Sequence, residues 1–354
     1  MRINSILFFG ICVCLYCGCR QNSKVYYVPE PEDYFAITDT IGFEPHHIKT
    51  PSLLPVRMIV VNNHLVIAQA KDKYSFCIQE LPLGGDSFLG AFRGRGPTEL
   101  IDPDFKSLVP DGDGFIIADV DNLIKKYIIR DGEVVMEDKQ RFFDTNVLNG
   151  VIKVGDTLLN VNIDERENHP YEFVALKADG SKKYIGEIPD WDIDSSQEGK
   201  TSLITYANMH IARPYGDKIA EFYSFFRKVR ILDIKGRILS ETSINYPTPS
   251  SIVPLSEGIY CTYGIPPCAS GLRIVALAEN SFRAGGPINP QQKKYSEFQI
   301  WDWDGHLLHR VIIKTKIDVF TVDFSSGTLY GMNQSLEDVV FSSDISGFLD
   351  SSLF

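Results

Sequence analysis

Short apolar stretches alternate with glycine-containing turns along almost the whole chain of 354 residues. Six segments share one form, an apolar strand, a turn with Gly and a second apolar strand, which is typical of a β-hairpin. They run from Phe76 to Phe88, Ile124 to Val135, Phe173 to Ile185, Val229 to Leu239, Phe298 to Leu308 and Val339 to Leu349. The last of these turns lies at Ser346-Gly347.

A second hairpin precedes each of the six. Its turns fall at Asn62-Asn63, Asp113-Gly114, Gly155-Asp156, Gly216-Asp217, Glu257-Gly258 and Ser326-Gly327. Two hairpins form a four-stranded antiparallel sheet, and six such units predict an all-β fold, a six-bladed β-propeller of four-stranded antiparallel blades. A β-sandwich needs fewer strands, and a helical solenoid needs a 3.6-residue period that no long stretch has.

A propeller must close its ring, because an open ring leaves sheet edges that pair with other chains. Either Ala36 to Ile41 or Phe348 to Phe354 can supply the outer strand of the last blade. The strand-like alternation from Phe35 to Ile41 favours the N-terminal segment.

The first residues predict an export signal. Ile6 to Val13 is apolar but shorter than the roughly 20 residues that span a bilayer. Gly18-Cys19 follows and resembles a bacterial lipoprotein signal with the lipid on Cys19. An ordinary cleaved signal or an uncleaved anchor are alternatives, and all three place the rest outside the cytoplasm. We expect a signal peptide at 1–19, a tether at 20–35 and the propeller at 36–354, anchored to the membrane and facing the periplasm.

Composition and charge limit the function classes. The chain is 44% apolar and 12% aromatic, as suits strands, and its net charge is -11. Because no stretch clusters Lys and Arg densely, we expect no nucleic-acid partner. Cys261 and Cys268 bracket a turn-rich stretch and either form a disulfide or stay isolated thiols, and the three cysteines after the leader contain no Cys-x-x-Cys pair that would indicate zinc.

One segment carries a resemblance to a known family. Phe92-Arg93-Gly94-Arg95-Gly96-Pro97-Thr98-Glu99-Leu100, with the six repeats and the leader, resembles the TolB-like six-bladed propeller lipoproteins of gut-type bacteria. The chain departs from that pattern at Phe92, where a glycine can stand, and in a long insertion in the fifth blade. The resemblance implies an exported, anchored propeller and no established chemistry.

In a four-stranded blade, the loops joining blades and those joining the second strand to the third emerge on one face, where binding residues concentrate. The predicted loops there are Arg93 to Asp104, Asp119 to Asn122, Asp164 to Tyr171, Asp190 to Lys200, Tyr223 to Arg227 and the insertion Gly264 to Lys294.

The glycine-rich loop holds the first candidate residues. Arg93 and Arg95 can offer two guanidinium groups, and the glycines can offer N–H groups, to a carboxylate, phosphate or acidic sugar. The alternative is a tight turn in which one Arg pairs with Glu99.

Three further loops hold the other candidate ligand-binding residues. Asp164 and Glu165 can hold calcium or form a solvated loop, so calcium is the one cofactor considered and no metal residue is assigned. Trp191, among three aspartates, can bind sugar or cap the sheet. Arg227 ends the fifth predicted loop.

These observations favour a non-catalytic binding or scaffold module of the bacterial envelope, a lipid-anchored propeller that binds a protein or glycan partner. The alternative is a calcium-dependent propeller hydrolase, lactonase or lyase, for which fold analogy is the only argument. A third hypothesis, a subunit of a larger assembly, would be favoured by an exposed apolar patch near Ile274 to Leu277. No Gly-x-Ser-x-Gly, Walker or His-Glu-x-x-His motif occurs.

Overall fold

The computed structural model describes residues 24–27, 39–120, 122–141, 148, 150–155, 157–162, 169–177, 181–189, 191, 206–226, 228–245, 259–278, 281–283 and 295–350. Three strands come before the first blade: β1 (Lys24–Tyr27), β2 (Asp39–Ile41) and β3 (Glu44–His47). Within the described ranges, no helix is long and apolar enough to cross a membrane.

The first three blades follow each other along the chain. Blade 1 consists of β4 (Pro55–Val61), β5 (His64–Gln69), β6 (Tyr74–Glu80) and β7 (Ser87–Phe92). Blade 2 consists of β8 (Asp104–Asp111), β9 (Gly114–Asp119), β10 (Leu123–Arg130) and β11 (Glu133–Arg141). Blade 3 consists of β12 (Ile152–Val154), β13 (Thr157–Val161), β14 (Tyr171–Leu176) and β15 (Lys182–Glu187).

The last three blades incorporate the N-terminal strands. Blade 4 consists of β16 (Asn208–Ala212), β17 (Lys218–Tyr223), β18 (Lys228–Asp233) and β19 (Ile238–Asn245), with β1 added. A two-stranded sheet pairs β20 (Ile259–Cys261) with β23 (Ser281–Arg283). Blade 5 consists of β21 (Cys268–Ala269), β22 (Arg273–Ala278), β24 (Ser296–Asp302) and β25 (Leu307–Ile313), with β2 added. Blade 6 consists of β26 (Val319–Asp323), β27 (Thr328–Met332), β28 (Val339–Asp344) and β3, and α1 (Ser346–Leu349) follows β28.

The six blades form a closed ring, which confirms the predicted six-bladed β-propeller. Their first strands, β4, β8, β12, β16, β21 and β26, contact one another in succession around the axis. We call the face with the connections between blades and between second and third strands the upper face. The hairpins joining strands one to two and three to four lie on the lower face.

The hydrophobic core lies between neighbouring blades. Ile59, Val66 and Ala68 of blade 1 pack against blade 2, whereas Met58 and Leu65 pack against blade 6. Alternation along a strand thus divides its side chains between two neighbours. Because the second strands are covered on both faces, they are almost continuously apolar, and every residue of β9 and β22 is buried.

Ring closure comes from the N-terminal side, but through a different segment from the one predicted. Strand β3 pairs antiparallel with β28 and forms the outer strand of blade 6. The prediction that Ala36 to Ile41 fills this place is wrong, because its described part, β2, pairs parallel with β25 of blade 5. The N-terminal strands β1, β2 and β3 therefore cover the outer edges of three successive blades.

The hairpin predicted from Val339 to Leu349 is also wrong. Residues Ser346–Leu349 form the helix α1 instead of a second strand. Because β3 already pairs with the outer edge of β28, no strand edge of β28 is left there for the chain after Asp344 to pair with.

In the fifth blade, the first hairpin lies later in the chain than predicted. It is formed by β21 and β22 around residues 270–272, and not around Glu257-Gly258. The predicted insertion Gly264 to Lys294 therefore contains two blade strands, and only residues 279–295 separate β22 from β24. Residues Ile274 to Leu277, where an exposed patch would have favoured the assembly hypothesis, are buried.

Candidate functional site

The glycine-rich connection between blades 1 and 2 is a narrow loop on the upper face. The amide of Gly94 donates to Leu100 O at 3.0 Å, and the amide of Leu100 donates to Phe92 O at 3.0 Å. Arg93 and Leu100 form a bridge at the base of the loop. Arg95 is exposed within it.

Glu99 folds back onto this loop. Its carboxylate accepts a hydrogen bond from the amide of Gly96 at 2.6 Å. A Cβ atom at Gly94 or Gly96 would collide with that carboxylate, so a side chain at either position would displace Glu99 from its contact with the loop. In the described part of the chain, neither Arg93 nor Arg95 forms an ion pair with Glu99, and the amides of Gly94 and Gly96 are used within the loop.

A buried ion pair in blade 2 holds the end of the same loop. Lys125 Nζ lies 2.7 Å from Asp119 Oδ2, with both side chains almost fully buried. Lys125 also donates to Glu99 O. The Asp119 carboxylate accepts from the amides of Ile101 and Asp102 at 2.9 to 3.1 Å. The pair is thus satisfied by loop backbone, and it fixes the loop on blade 2.

The two arginines of the loop differ in what they contact. Arg93 donates to Gln69 O at 2.5 Å and lies over the ring of Phe105, with its Cζ 5.3 Å from the ring centroid. Arg95 is exposed, and so is Phe92, which is 43% exposed. Arg93 therefore supports the loop, and Arg95 is the guanidinium that faces solvent.

Five side chains near this loop form what we call the upper patch: Lys73, Tyr74, Phe92, Arg95 and Ile101. Tyr74 is half-buried, and the other four are exposed. Tyr74 and Phe92 lie opposite each other on β6 and β7, with their rings edge to face at 5.5 Å. Lys73 Nζ lies 5.3 Å from the Tyr74 ring centroid. The patch thus combines two aromatic rings with two exposed cations beside a fixed loop.

Trp191 lies on blade 4 and is used for packing. Its ring contacts Tyr223 at 4.6 Å and Phe226 at 4.8 Å between centroids. Lys228 Nζ and Arg230 Cζ lie 4.5 and 4.6 Å from the indole centroid.

The Trp191 indole also takes part in an ionic network. Its Nε1 donates to Glu241 at 3.1 to 3.2 Å. Arg230 Nε lies 2.8 Å and Lys228 Nζ lies 3.1 Å from the Glu241 carboxylate. Burial alone would raise the pKa of Glu241, but Arg230 and Lys228 lower it below its usual range. These contacts agree with the interpretation of Trp191 as a cap on the sheet.

Polar side chains at the upper end of the second strands organise the loops in at least four blades. Each one hydrogen-bonds to backbone groups of neighbouring loops, and the four are Gln69, Asp119, Asn162 and Asn333. The motifs considered from the sequence did not predict this role for any of the four residues, although Asp119 begins one of the predicted loops. The signal was available, because each residue follows the apolar run of a second strand.

A second network links blades 2, 3 and 4 near the axis. The amide of Gly150 donates to Asp104 Oδ2 at 2.7 Å, and Gly150 O accepts from His210 Nε2 at 2.5 Å. Burial lowers the pKa of His210 to about 4 although Gly150 O favours the charged form, and burial raises the pKa of Asp104. His210 is therefore neutral, with Nδ1 facing the Asn208 amide 3.1 Å away.

On the opposite side of the ring, Arg57 links blade 1 to the chain that enters blade 5. It is 3% exposed and donates to Pro266 O at 2.6 Å. Cys268, which follows, has a free and buried thiol 3.8 Å from Thr321 Oγ1. Cys77 is likewise a free, buried thiol, whereas the side chain of Cys261 lies outside the described part. Cys268 therefore matches the isolated-thiol alternative.

Several predicted residues lie outside the described ranges. These are Cys19, Asp164, Glu165 and Arg227. In the part of the chain that the structure describes, no group of three or more His, Cys, Asp or Glu side chains is arranged to hold a metal ion. The binding roles of Arg93, Arg95, Glu99 and Trp191 stay predictions.

Comparison with known proteins gives relatives in structure only. No family model and no curated protein matches the chain. A DUF4221 family member from Bacteroides vulgatus is 13% identical with a TM-score of 0.56, covering 85% of this chain and 95% of that one. The likeness is one of fold. A Bacteroides fragilis protein, assigned by its name to the exported proteins, is 10% identical with a TM-score of 0.55, covering 90% of this chain and 98% of that one.

Proposed function

We propose that this chain is a non-catalytic binding module of the bacterial cell envelope, anchored to the membrane by a lipid on Cys19 and facing the periplasm. Its upper patch binds carboxylate groups on an envelope protein or glycan. The observation that carries the proposal is the exposed pair of Phe92 and Arg95 on a loop that a buried ion pair holds in place.

The chemistry of the upper patch fits an acidic partner. A guanidinium donates two parallel hydrogen bonds to a carboxylate, and Arg95 is exposed. Lys73 adds a second cation, although the whole chain carries a net charge of -11. Phe92 and Tyr74 supply rigid aromatic surface that a partner can cover, and aromatic and arginine side chains dominate binding energy at interfaces.

The rigidity of the loop supports the same proposal. Lys125 and Asp119 hold the loop from blade 2, and the Glu99 carboxylate holds it from within. A loop that is already ordered loses less conformational entropy when a partner binds. Arg93 contributes by holding the base of the loop, and in this proposal it does not touch the partner.

A crosslinking capture from native membranes tests this function. We expect the wild-type chain to enrich one defined acidic partner, and a Phe92→Ala/Arg95→Ala variant to lose it. The matched control is Val135→Ala/Arg130→Ala, which removes one exposed apolar side chain and one exposed arginine from the side of blade 2.

Circular dichroism and melting temperature confirm that both double variants fold. Equal capture by wild type and the Phe92/Arg95 variant would show that the partner binds elsewhere. Equal loss in both double variants would show that the effect is not specific to the upper patch.

A further inference from the structure

Three exposed apolar side chains lie in neighbouring turns of the lower face, and we call them the lower patch: Tyr215, Ile234 and Leu272. Tyr215 is fully exposed, Leu272 is 56% exposed and Ile234 is 46% exposed. All three lie in hairpin turns of blades 4 and 5. Apolar side chains of this size are seldom grouped on a soluble surface without a role.

Hydrogen bonds join these three turns into one surface. The amide of Ile234 donates to Asp217 O at 3.1 Å, which connects both hairpins of blade 4. Arg213 Nε donates to Gly271 O at 2.8 Å and connects blade 4 to blade 5. The three turns that carry the lower patch are therefore adjacent.

The turn around Tyr215 is unusual for its residue type. The amide of Gly216 donates to Arg213 O at 3.0 Å, so Pro214 and Tyr215 are the central residues of a β-turn. Tyr215 has φ = 53°, a left-handed value at a place where such turns take glycine or asparagine. The nearest glycine, Gly216, follows Tyr215 and so does not occupy the left-handed position. The chain thus holds a bulky aromatic ring in solvent at a conformational cost, which points to a use for that ring.

The N-terminal strand directs the start of the chain toward the same face. Strand β19 runs from the lower to the upper face, and β1 pairs with it in parallel, with Lys24 opposite Thr242. Lys24, the first residue of β1, is therefore the end of that strand nearer the lower face of blade 4.

The distances fit an anchor at that level. Thr242 lies four residues above Ile238, the lower end of β19, which is about 14 Å. Cys19 lies five residues before Lys24, and five residues span at most about 17 Å. A lipid on Cys19 would then hold the lower face of blade 4 against the bilayer surface.

We propose that the lower patch docks on the lipid bilayer and orients the propeller, with its upper patch pointing away from the membrane. The inference rests on the lipid anchor of the proposed function. The occupant is a bilayer because an aromatic ring with a polar tip suits the headgroup region and because the anchor reaches this face. Lys235, exposed beside Ile234, adds attraction to anionic headgroups.

Fluorescence quenching by brominated lipids tests this orientation. The full chain is reconstituted into vesicles of phosphatidylethanolamine and phosphatidylglycerol, with or without brominated acyl chains. Tyr215→Trp places a reporter on the lower patch, and Leu336→Trp places one at an exposed position of the upper face. The wild-type signal of the native tryptophans is subtracted from both.

We expect the Tyr215→Trp emission to shift to the blue and to be lost in brominated vesicles, while the Leu336→Trp emission is unchanged. Three results would overturn the proposal: no quenching of either reporter, stronger quenching of Leu336→Trp, or a chain that does not stay with the vesicles. A blue shift at Tyr215→Trp without bromine quenching would also overturn the proposal, because it would assign the patch to contact with a second copy of this chain.

This readout is independent of partner capture. A chain that captures its partner normally but shows no quenching at Tyr215→Trp would overturn the orientation alone. A chain with quenching but no capture would leave the orientation in place and overturn the role of the upper patch.

Discussion

The loop between blades 1 and 2 and the Trp191 region of blade 4 both lie on the upper face, but they use their chemistry differently. Around Trp191, Lys228 and Arg230 each contact both the indole and the Glu241 carboxylate, and the indole donates to that carboxylate. In the loop, buried groups hold the backbone, and Arg95 stays exposed.

The difference teaches that residue type alone does not identify a binding site. Aromatic and arginine side chains can pack inside the protein, as in blade 4, or face solvent, as next to blade 1. In the loop, a separate set of buried groups, here Lys125 and Asp119, holds the backbone so that the exposed side chain is not needed for packing. The comparison predicts that the two regions respond differently to substitution.

The largest effect is expected from breaking the buried ion pair. Lys125→Met leaves the Asp119 carboxylate buried without its cation, and loss of one partner of such a pair costs about 3–5 kcal/mol. Unfolding in urea measures this loss. Lys49→Met is the control, because the Lys49–Asp86 pair is mostly exposed and should change stability very little. Equal effects in both variants would contradict the anchoring role.

Acid should lower the stability of the fold through His210, which joins blade 4 to the chain that enters blade 3. The folded pKa is about 4 and the ordinary value is 6.5, so the unfolded chain binds the proton first. The stabilisation is complete above pH 6.5 and is lost as the pH falls toward 4, by about 3 kcal/mol in total.

Urea unfolding at pH 7 and pH 4.5 tests this dependence. His210→Phe should flatten the pH dependence, whereas His47→Ala, at an exposed histidine, should not. An unchanged pH dependence in His210→Phe would show that protonation of His210 does not cause the loss of stability.

Trp191→Ala should destabilise the fold without affecting partner capture. The half-buried indole packs against Tyr223 and Phe226, and its removal should cost about 2 kcal/mol. Thermal unfolding and the membrane capture assay are the two measurements. A stable variant that loses its partner would reverse the assignment of the two regions.

A smaller loss is expected for Gly94→Ala. Its Cβ would collide with the Glu99 carboxylate, so we expect a cost of about 1–2 kcal/mol. Glu99→Ala in the same chain should recover part of it. Gly42→Ala, where a Cβ meets no atom within 4 Å, is the control. Without recovery in the double variant, the collision would not be the cause.

The repeat pattern predicted the number of blades because alternating apolar strands and glycine turns are local signals. It failed at Ser346-Gly347, since the partner strand of β28 is β3, almost three hundred residues away in sequence. It also failed in blade 5, where β21 is only two residues long and too short to show alternation.

For the site, the sequence predicted the loop that carries the exposed Arg95, but it did not show that Arg93 supports this loop or which buried groups hold it. A lysine within a strand is usually expected at the surface, but Lys125 is buried because Asp119 and Glu99 O surround it. Only tertiary structure brings these groups together.

The most direct test of the upper patch is the affinity of the captured partner for the purified full chain, measured at low and high salt. Arg95→Glu is compared with wild type and with Trp191→Ala. We predict that the wild type and Trp191→Ala bind equally and weaken with salt, and that Arg95→Glu loses binding at low salt without losing stability. Unchanged affinity in Arg95→Glu would contradict the account.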